Sequence, residues 1–259
     1  MSKPSCLELK VLDLTGVGQS ARPGEFFVLR LESPGWSAWR PGQFVMLRPE
    51  GWGRELIWGR PFSICHADDE CLEVFFQVVG RGTARLAKLA PGDVVAAWGP
   101  LGNGFAVEPG ARTLLLAGGV GIAPFKGYIR RHPEPGKLAL VLAHRLPEEC
   151  YPFAELSASV AAQCLRETCP EDIPHIAGQL GERMREYADG LVLACGPTPF
   201  LRTVRSVAIA EGIRAQVSLE NRMACGVGAC LGCVCTDGRG EHVKTCTSGP
   251  VFWAKDVTL

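Results

Sequence analysis

Four cysteines near the C-terminus, Cys225, Cys230, Cys233 and Cys246, constrain this chain more than any other feature. The run Cys225-Gly-Val-Gly-Ala-Cys230-Leu-Gly-Cys233 has C-x4-C-x2-C spacing. With a distal fourth cysteine, that is the pattern of a plant-type [2Fe–2S] site, held by four thiolates, two per iron. The small residues between Cys225 and Cys230 let the backbone pass closely and aim its N–H groups at the sulfurs. Further on, Asp237-Gly238 favours a hairpin turn that would bring Cys246 back beside Cys233. Cys235 shares a face with Cys233 on an extended strand. Using it in place of Cys233 would lengthen C-x2-C to C-x4-C, so it is expected to be a non-ligand. Two other uses of such cysteines compete. A zinc ribbon normally shows two C-x2-C knuckles, and Cys246 has no such neighbour. Disulfides depend on an oxidising compartment.

The compartment is read from the rest of the chain. Its N-terminus, Met1-Ser-Lys-Pro-Ser-Cys6, lacks the apolar core of a signal peptide. The longest apolar stretch, around Leu114–Pro124, contains three glycines and is too short to span a bilayer. A cytoplasmic setting is expected, with the twelve cysteines serving as metal ligands or as buried residues. Lys plus Arg and Asp plus Glu are equal at 27 each, with no runs of like charge. That balance points away from nucleic acid and from an anionic membrane surface as partners.

The length of 259 residues suggests more than one domain. In the first hundred residues, short apolar runs alternate with Pro-Gly and Asp-rich turns: 26–31, 43–47, 72–79 and 94–98. This is the pattern of an antiparallel barrel or sandwich. Thr83–Leu89 breaks the rhythm with near-helical spacing. After Glu108-Pro-Gly110 the character changes. Thr113–Ala117, Leu138–Ala143 and Leu191–Ala194 read as strands covered on both faces. Helices are expected from Gly121 to about Arg131, over Ala154–Leu165 and over Phe200–Glu211. Alternating strands and helices imply a parallel sheet. The expected fold is therefore multidomain β plus α/β: a β-barrel over residues 1–108, an α/β nucleotide domain over 109–212 and a small cluster domain over 213–259.

Two further groups carry chemistry. Arg60-Pro61-Phe62-Ser63 is followed by Gly80-Arg-Gly82-Thr83 at the start of a short helix. Arg60 suits a phosphate, and the backbone N–H groups of Gly82 and Thr83 would face a pyrophosphate. Phe62 is placed to lie against a flavin ring and Ser63 to hydrogen-bond at its reactive edge. Phe75, Phe76 and Gln77, on the run between, complete the candidate flavin set. Gly118, Gly119 and Gly121 sit between a buried strand and a helix, and Cys195-Gly196-Pro197 ends a later parallel strand. Both are positions where a nucleotide is received at the carboxyl ends of strands. Each group taken alone is compatible with an ordinary turn or a core residue.

Together they resemble the R-x-[YF]-[ST], G-x-G-[ST], G-G-x-G-x-x-P and C-G-P motifs of the ferredoxin–NADP+ reductase family, with Phe62 where Tyr is usual. Gly99-Pro-Leu-Gly-Asn-Gly-Phe105 is similar to that family's G-P-x-G-x-x-F. With Glu220-Asn-Arg-Met-Ala-Cys225 and Gly249-Pro-Val-Phe252, nearly the whole chain resembles the electron-transfer subunits of dihydroorotate dehydrogenase B. The resemblance implies FAD, NAD and a [2Fe–2S] cluster on Cys225, Cys230, Cys233 and Cys246. It also implies an FMN-containing catalytic partner in a heterotetramer that serves pyrimidine biosynthesis. Diaphorase-type subunits of a sulfhydrogenase or of an NADH-dependent ferredoxin–NADP+ reductase share the same order of parts. A zinc-stabilised binding module is the non-enzyme alternative.

Overall fold

A computed structural model describes residues 3–18 and 26–259. Met1 and Ser2, the start of the N-terminal segment read above, lie outside the described residues. The chain opens with strands β1 (Ser5–Val17), β2 (Phe26–Glu32), β3 (Phe44–Pro49), β4 (Arg60–Ala67) and β5 (Cys71–Gln77), then helix α1 (Arg81–Leu86) and strand β6 (Val94–Leu101). The six strands close into an antiparallel barrel in the order β1-β2-β5-β4-β3-β6, with β6 returning to β1. Alternation places Leu29, Leu31, Val45, Leu47, Ile64, Leu72, Val74 and Val95 inside the barrel, each essentially inaccessible. Closure covers the strand edges except where β4 and β5 part.

A second set of elements follows: β7 (Thr113–Gly118), α2 (Ala123–Arg131), β8 (Leu138–His144), α3 (Phe153–Ser157), β9 (Ala161–Arg166), α4 (Asp172–Glu186), β10 (Leu191–Cys195), α5 (Thr198–Glu211) and β11 (Ala215–Ser218). The chain then forms the hairpin β12 (Val234–Thr236) and β13 (His242–Lys244), helix α6 (Thr245–Ser248) and β14 (Val251–Trp253). The sheet order is β14-β11-β10-β7-β8-β9, parallel except for β14. Leu114, Leu115, Leu116, Val141, Val192 and Leu193 are fully buried between the helical layers, as strands covered on both faces must be. No helix among the described residues is long and apolar enough to cross a membrane.

One expectation needs correction, and one helix was not foreseen. The segment Ala154–Leu165 is not one helix: α3 stops at Ser157 and Ala161–Arg166 is the sheet's edge strand, parallel to β8. Its Ala and Gln residues favour a helix locally, but pairing along β8 decides the conformation. Helix α4 has no counterpart in the sequence reading, because Pro174, Gly178 and Gly181 break its helical signature. Residues 213–259 form the C-terminal part of the fold, and two of their strands join the large sheet. β11 and β14 are strands of the large sheet, so the cysteine segment is an excursion between two of its members.

The barrel and the sheet meet through α2, which packs on β4. Gly127 makes this approach possible: a side chain there would collide with Trp39 and lie 2.7 Å from the Cys65 carbonyl. Across the same seam Lys126 Nζ reaches Glu73 at 2.7 Å and Glu155 at 3.0 Å.

Candidate cluster, flavin and nucleotide sites

The cysteine segment lies against the outer face of the barrel. Residues 237–241 close the β12–β13 hairpin. The Asp237 carboxylate accepts from the N–H groups of Arg239 and Glu241, at 2.8 and 2.9 Å, and Gly240 supplies the left-handed residue at φ 83°. The expected hairpin is present, with a longer loop than a two-residue Asp-Gly turn. It returns the chain so that the Thr245 N–H donates to the Cys233 carbonyl at 3.0 Å. Asn221 Nδ2 ties both ends, donating to the Cys233 carbonyl at 3.0 Å and to Thr245 Oγ1 at 3.1 Å. Cys233 and Cys246 are buried with Phe44, Met46 and Leu101 in a small core of their own.

The Cys225 sulfur accepts from the N–H groups of Val227 at 3.5 Å and Cys230 at 3.4 Å. Burial raises its pKa, but these donors and the Ala229 N–H outweigh burial and draw the thiol down to about 6. Cys246 is pushed up to about 12, first by burial and then by the hydrogen bond and charge of Cys233 beside it. The side chains thus associate as Cys225 with Cys230 and Cys233 with Cys246, with Cys225 close enough to act on Cys246. Among the described residues no three His, Cys, Asp or Glu side chains are placed to hold one metal ion. A [2Fe–2S] cluster asks for a different donor set, two thiolates on each iron, and the pairing fits it. Cys235 stands aside, its sulfur accepting from Thr245 Oγ1 at 3.5 Å. Gly226 and Gly228 adopt φ of 72° and 81° in the loop, and Leu231 is the one described non-glycine residue with positive φ, at 56°. Val227, Leu231 and Val234 project from this loop, exposed by 54%, 61% and 39%.

The flavin candidates gather where the barrel opens. The β4–β5 ladder runs from Ala67–Leu72 to Ile64–Val74, with a bulge at Cys65, and stops. Beyond it Arg60–Ser63 pair only with β3, and Phe75–Gln77 only with β2. The parted strands leave backbone donors and acceptors facing an opening. Arg60 lies at its rim. Its Nη1 donates to the carbonyls of Trp58 and Gly59 at 2.8 and 3.2 Å, and its guanidinium makes no ion pair among the described residues. It packs on Gly82, where a side chain would come within 2.9 Å of Nε. Arg60, Gly82 and Thr83 are therefore brought together. Thr83 Oγ1 accepts from the N–H groups of Val79 and Gly80 at 2.9 and 3.1 Å, fixing the turn into α1. That helix is short, so the free N–H groups of its first turn matter more than its dipole.

The aromatic assignments fare differently. Phe62 turns into the barrel and packs on Phe76, ring centroids 5.7 Å apart. Phe76 also stacks on Phe27 at 5.6 Å, and Phe75 stacks on Phe26 at 5.8 Å. All three side chains are core, so none offers a ring face to a ligand. Strand alternation is the reason: Val45, Phe62 and Ile64 face inward, whereas Phe44, Pro61 and Ser63 share the outer face. Gln77 is half-buried at the end of β5.

The nucleotide candidates lie at the sheet's switch point. From β7 the chain moves outward through β8 and β9, then returns to β10 on the other side. The carboxyl ends of β7 and β10 are adjacent, with Ala117 beside Cys195, the position where doubly wound sheets bind ligands. Gly118 touches Pro197 and Phe200, and a side chain at Gly121 would collide with the Cys195 carbonyl. Gly196 in turn packs on the Gly118 Cα. These three glycines close the two turns on each other. Gly119, at φ 54° with nothing near its missing side chain, is the one that leaves the backbone open to a ligand. The Cys195 thiol is pushed up to about 12 by burial, against the hydrogen bond with Ser218. Arg145 follows β8 and pairs with Glu167 at 2.9 Å.

Several working residues gave no sign in the sequence. Trp98 Nε1 donates to the Cys225 carbonyl at 2.9 Å. Asn103 bonds Val251 in both directions, at 2.7 and 2.9 Å, and so pins the end of the cysteine segment to the barrel. Asn103 sits inside the Gly99–Phe105 motif and Asn221 just ahead of Cys225, the only hints available. Trp98 had none.

Residues 220–258 match the family described as the iron–sulfur cluster binding domain of dihydroorotate dehydrogenase B. The chain is 34% identical to the dihydroorotate dehydrogenase B (NAD+) electron transfer subunit of Caldanaerobacter subterraneus subsp. tengcongensis, over 84% of this chain and 86% of that one. It is 36% identical to the protein of the same name from Bacillus caldolyticus, over 85% and 87%. Among solved structures it is similar to a chain of the NADH-dependent reduced ferredoxin–NADP oxidoreductase studied for flavin-based electron bifurcation. There the TM-score is 0.81 at 25% identity, over 96% of this chain and 89% of that chain. The ferredoxin–NADP+ reductase of Plasmodium falciparum shares the fold, with a TM-score of 0.67 at 13% identity, over 83% and 96%. A closed barrel, a switch-point sheet and a cysteine segment packed on the barrel thus occur in a chain that belongs to the family of dihydroorotate dehydrogenase B electron transfer subunits.

Proposed function

We propose that this chain carries electrons between a dihydroorotate-oxidising catalytic subunit and NAD+. In this reading a [2Fe–2S] cluster is held by Cys225, Cys230, Cys233 and Cys246. FAD lies at the β4–β5 opening with Arg60, Ser63, Gly82 and Thr83, and the nicotinamide nucleotide lies at Gly119 and the Cys195-Gly196-Pro197 turn. The observation that carries the reading is the series itself. The cysteine segment packs on Phe44 and Met46 of β3, the strand next to Pro61 and Ser63 of β4, while α2 joins the barrel to the turn that follows β7. When bound, the cluster moves single electrons and the flavin converts between these and a hydride.

The residues of the chain hold and orient. The uncompensated Arg60 guanidinium and the N–H groups of Gly82 and Thr83 suit a pyrophosphate. The Ser63 hydroxyl, on the outer face, offers a hydrogen bond at the ring edge. The N–H groups of Val227, Ala229 and Cys230 stabilise thiolate charge at Cys225. The exposed Val227, Leu231 and Val234 form the rim that the catalytic subunit would cover. The finer assignment is a cytoplasmic heterotetramer whose catalytic subunit carries FMN.

Anaerobic purification with the catalytic subunit, followed by visible spectroscopy and an assay of dihydroorotate-dependent NAD+ reduction, tests this. Flavin and ferric–sulfide bands and NADH formation are expected, and their absence would refute the reading. The high structural similarity to the NADH-dependent ferredoxin–NADP oxidoreductase chain favours a second reading, a diaphorase-type subunit. NADH oxidation coupled to ferredoxin, with no response to dihydroorotate, would select it.

A further inference from the structure

Trp98 and Met46 are cross-strand partners on β6 and β3, and Met46 is in turn the partner of Pro61 on β4. The row Trp98–Met46–Pro61 therefore crosses the outer face of the barrel from the cysteine segment to the flavin strand. At the cluster end, the indole N–H of Trp98 donates to the Cys225 carbonyl at 2.9 Å. Met46 fills the space over Gly226, where a side chain would come within 2.7 Å of its Cγ. At the flavin end, the Trp98 ring lies so close to Gly59 that any side chain there would collide with it. The Gly59 carbonyl accepts from Arg60 Nη1 at 3.2 Å. Met46 is inaccessible to solvent, so the row is packed matter and hydrogen bonds. Adjacent strands are about 4.8 Å apart, and the row spans roughly two such spacings.

We propose that Trp98, supported by Met46, is the bridge that couples the cluster to the flavin electronically; this rests on the cofactor placement above. Electron tunnelling falls steeply across each empty gap. A hydrogen bond to the backbone of a ligand cysteine and a filled side-chain row remove such gaps. Trp98 is a positioning residue here: it acts through Cys225 at one end and through Gly59 and Arg60 at the other. In the NADH-driven direction one electron leaves the reduced flavin and one ferric ion of the cluster becomes ferrous. No bond to Trp98 or Met46 forms or breaks, and the proton the flavin sheds goes to solvent.

The test is anaerobic stopped-flow reduction of the full chain, loaded with FAD and cluster, by NADH. Flavin bleaching and cluster reduction are followed as separate phases, with rapid-freeze EPR to count reduced clusters. Trp98→Phe keeps a ring but loses the donor. It is expected to slow the flavin-to-cluster phase several-fold while the midpoint potentials of both centres stay at their wild-type values. A second phase at the wild-type rate overturns the bridge, and so does a slowing fully accounted for by a shifted cluster potential. Should Trp98→Phe fail to retain iron, Met46→Val, which shortens the side chain and opens the row, carries the same two outcomes. A wild-type chain that binds no flavin or no cluster would instead refute the cofactor placement, so the two failures are distinct.

Discussion

Cys225 gathers backbone N–H groups around its sulfur, whereas Cys246 is buried against Cys233 and held protonated up to about 12. Two thiolates side by side repel each other, and a cationic metal centre relieves that repulsion. Replacing Cys225 or Cys246 with Ser is expected to reduce bound iron and sulfide to background, measured by colorimetric analysis. Cys235→Ser is expected to retain the full content. Glycine matters at Gly121 for a different reason: the Cys195 carbonyl occupies the place a side chain would take. Gly121→Ala is expected to cost about 1–3 kcal/mol, as overpacking does, and to weaken NADH binding. Urea denaturation and fluorescence titration check the two effects. The cysteine spacing and these glycine turns were legible in the sequence because both are local patterns. The inward turn of Phe62 was not, since it depends on which face of β4 the barrel closes over.

Among the elements, α2 bears the seam between barrel and sheet. Lys126 and Glu73 are both buried and pair at 2.7 Å. Lys126→Met would strand the Glu73 carboxylate, at an expected cost of about 3–5 kcal/mol in urea denaturation; the double variant Lys126→Met/Glu73→Gln is expected to recover most of it. Burial lowers the Lys126 pKa, but Glu73 and Glu155 outweigh it and hold the pKa above the ordinary 10.5. The contribution of the pair is therefore complete below pH 10.5 and is lost only as pH rises through the higher folded value. The β4–β5 turn behaves in the opposite sense. Asp68 is held at about 2, mainly by the Cys71 N–H and then by His66 and the Glu70 N–H. A depressed carboxylate stabilises the fold above its unfolded value of 3.8, and that stability is lost as pH falls through about 2. Thermal melts of Asp68→Asn should accordingly show a smaller loss of Tm between pH 4 and pH 2 than wild type.

On the scale of the molecule, the cysteine segment is clasped between β11 and β14 of the sheet and pinned to the barrel by Asn103 and Trp98. It cannot shift without disturbing both bodies. Its free side carries Val227, Leu231 and Val234, apolar residues of the kind that anchor interfaces when buried at their centre. Leu231→Glu is expected to weaken association with the catalytic subunit by about tenfold or more, the scale of a single buried anchor. Pull-down and size-exclusion chromatography read the association, and iron analysis confirms that the cluster is retained.

The sequence by itself determined the chemistry and the order of the parts. Cysteine spacing, the Arg60–Ser63 phrase and the glycine turns are short-range patterns, and each specifies a local backbone that tertiary context does not overrule. Barrel and parallel sheet were also readable, because apolar periodicity reports which faces are covered. Only the tertiary structure decided what lies beside what. Ala161–Arg166 became an edge strand because β8 offered a partner. The segment after residue 213 joined the sheet because β11 and β14 complete it. Trp98 came to touch Cys225, 127 positions away. These are contacts between distant parts of the chain, fixed by packing, and no local pattern records them.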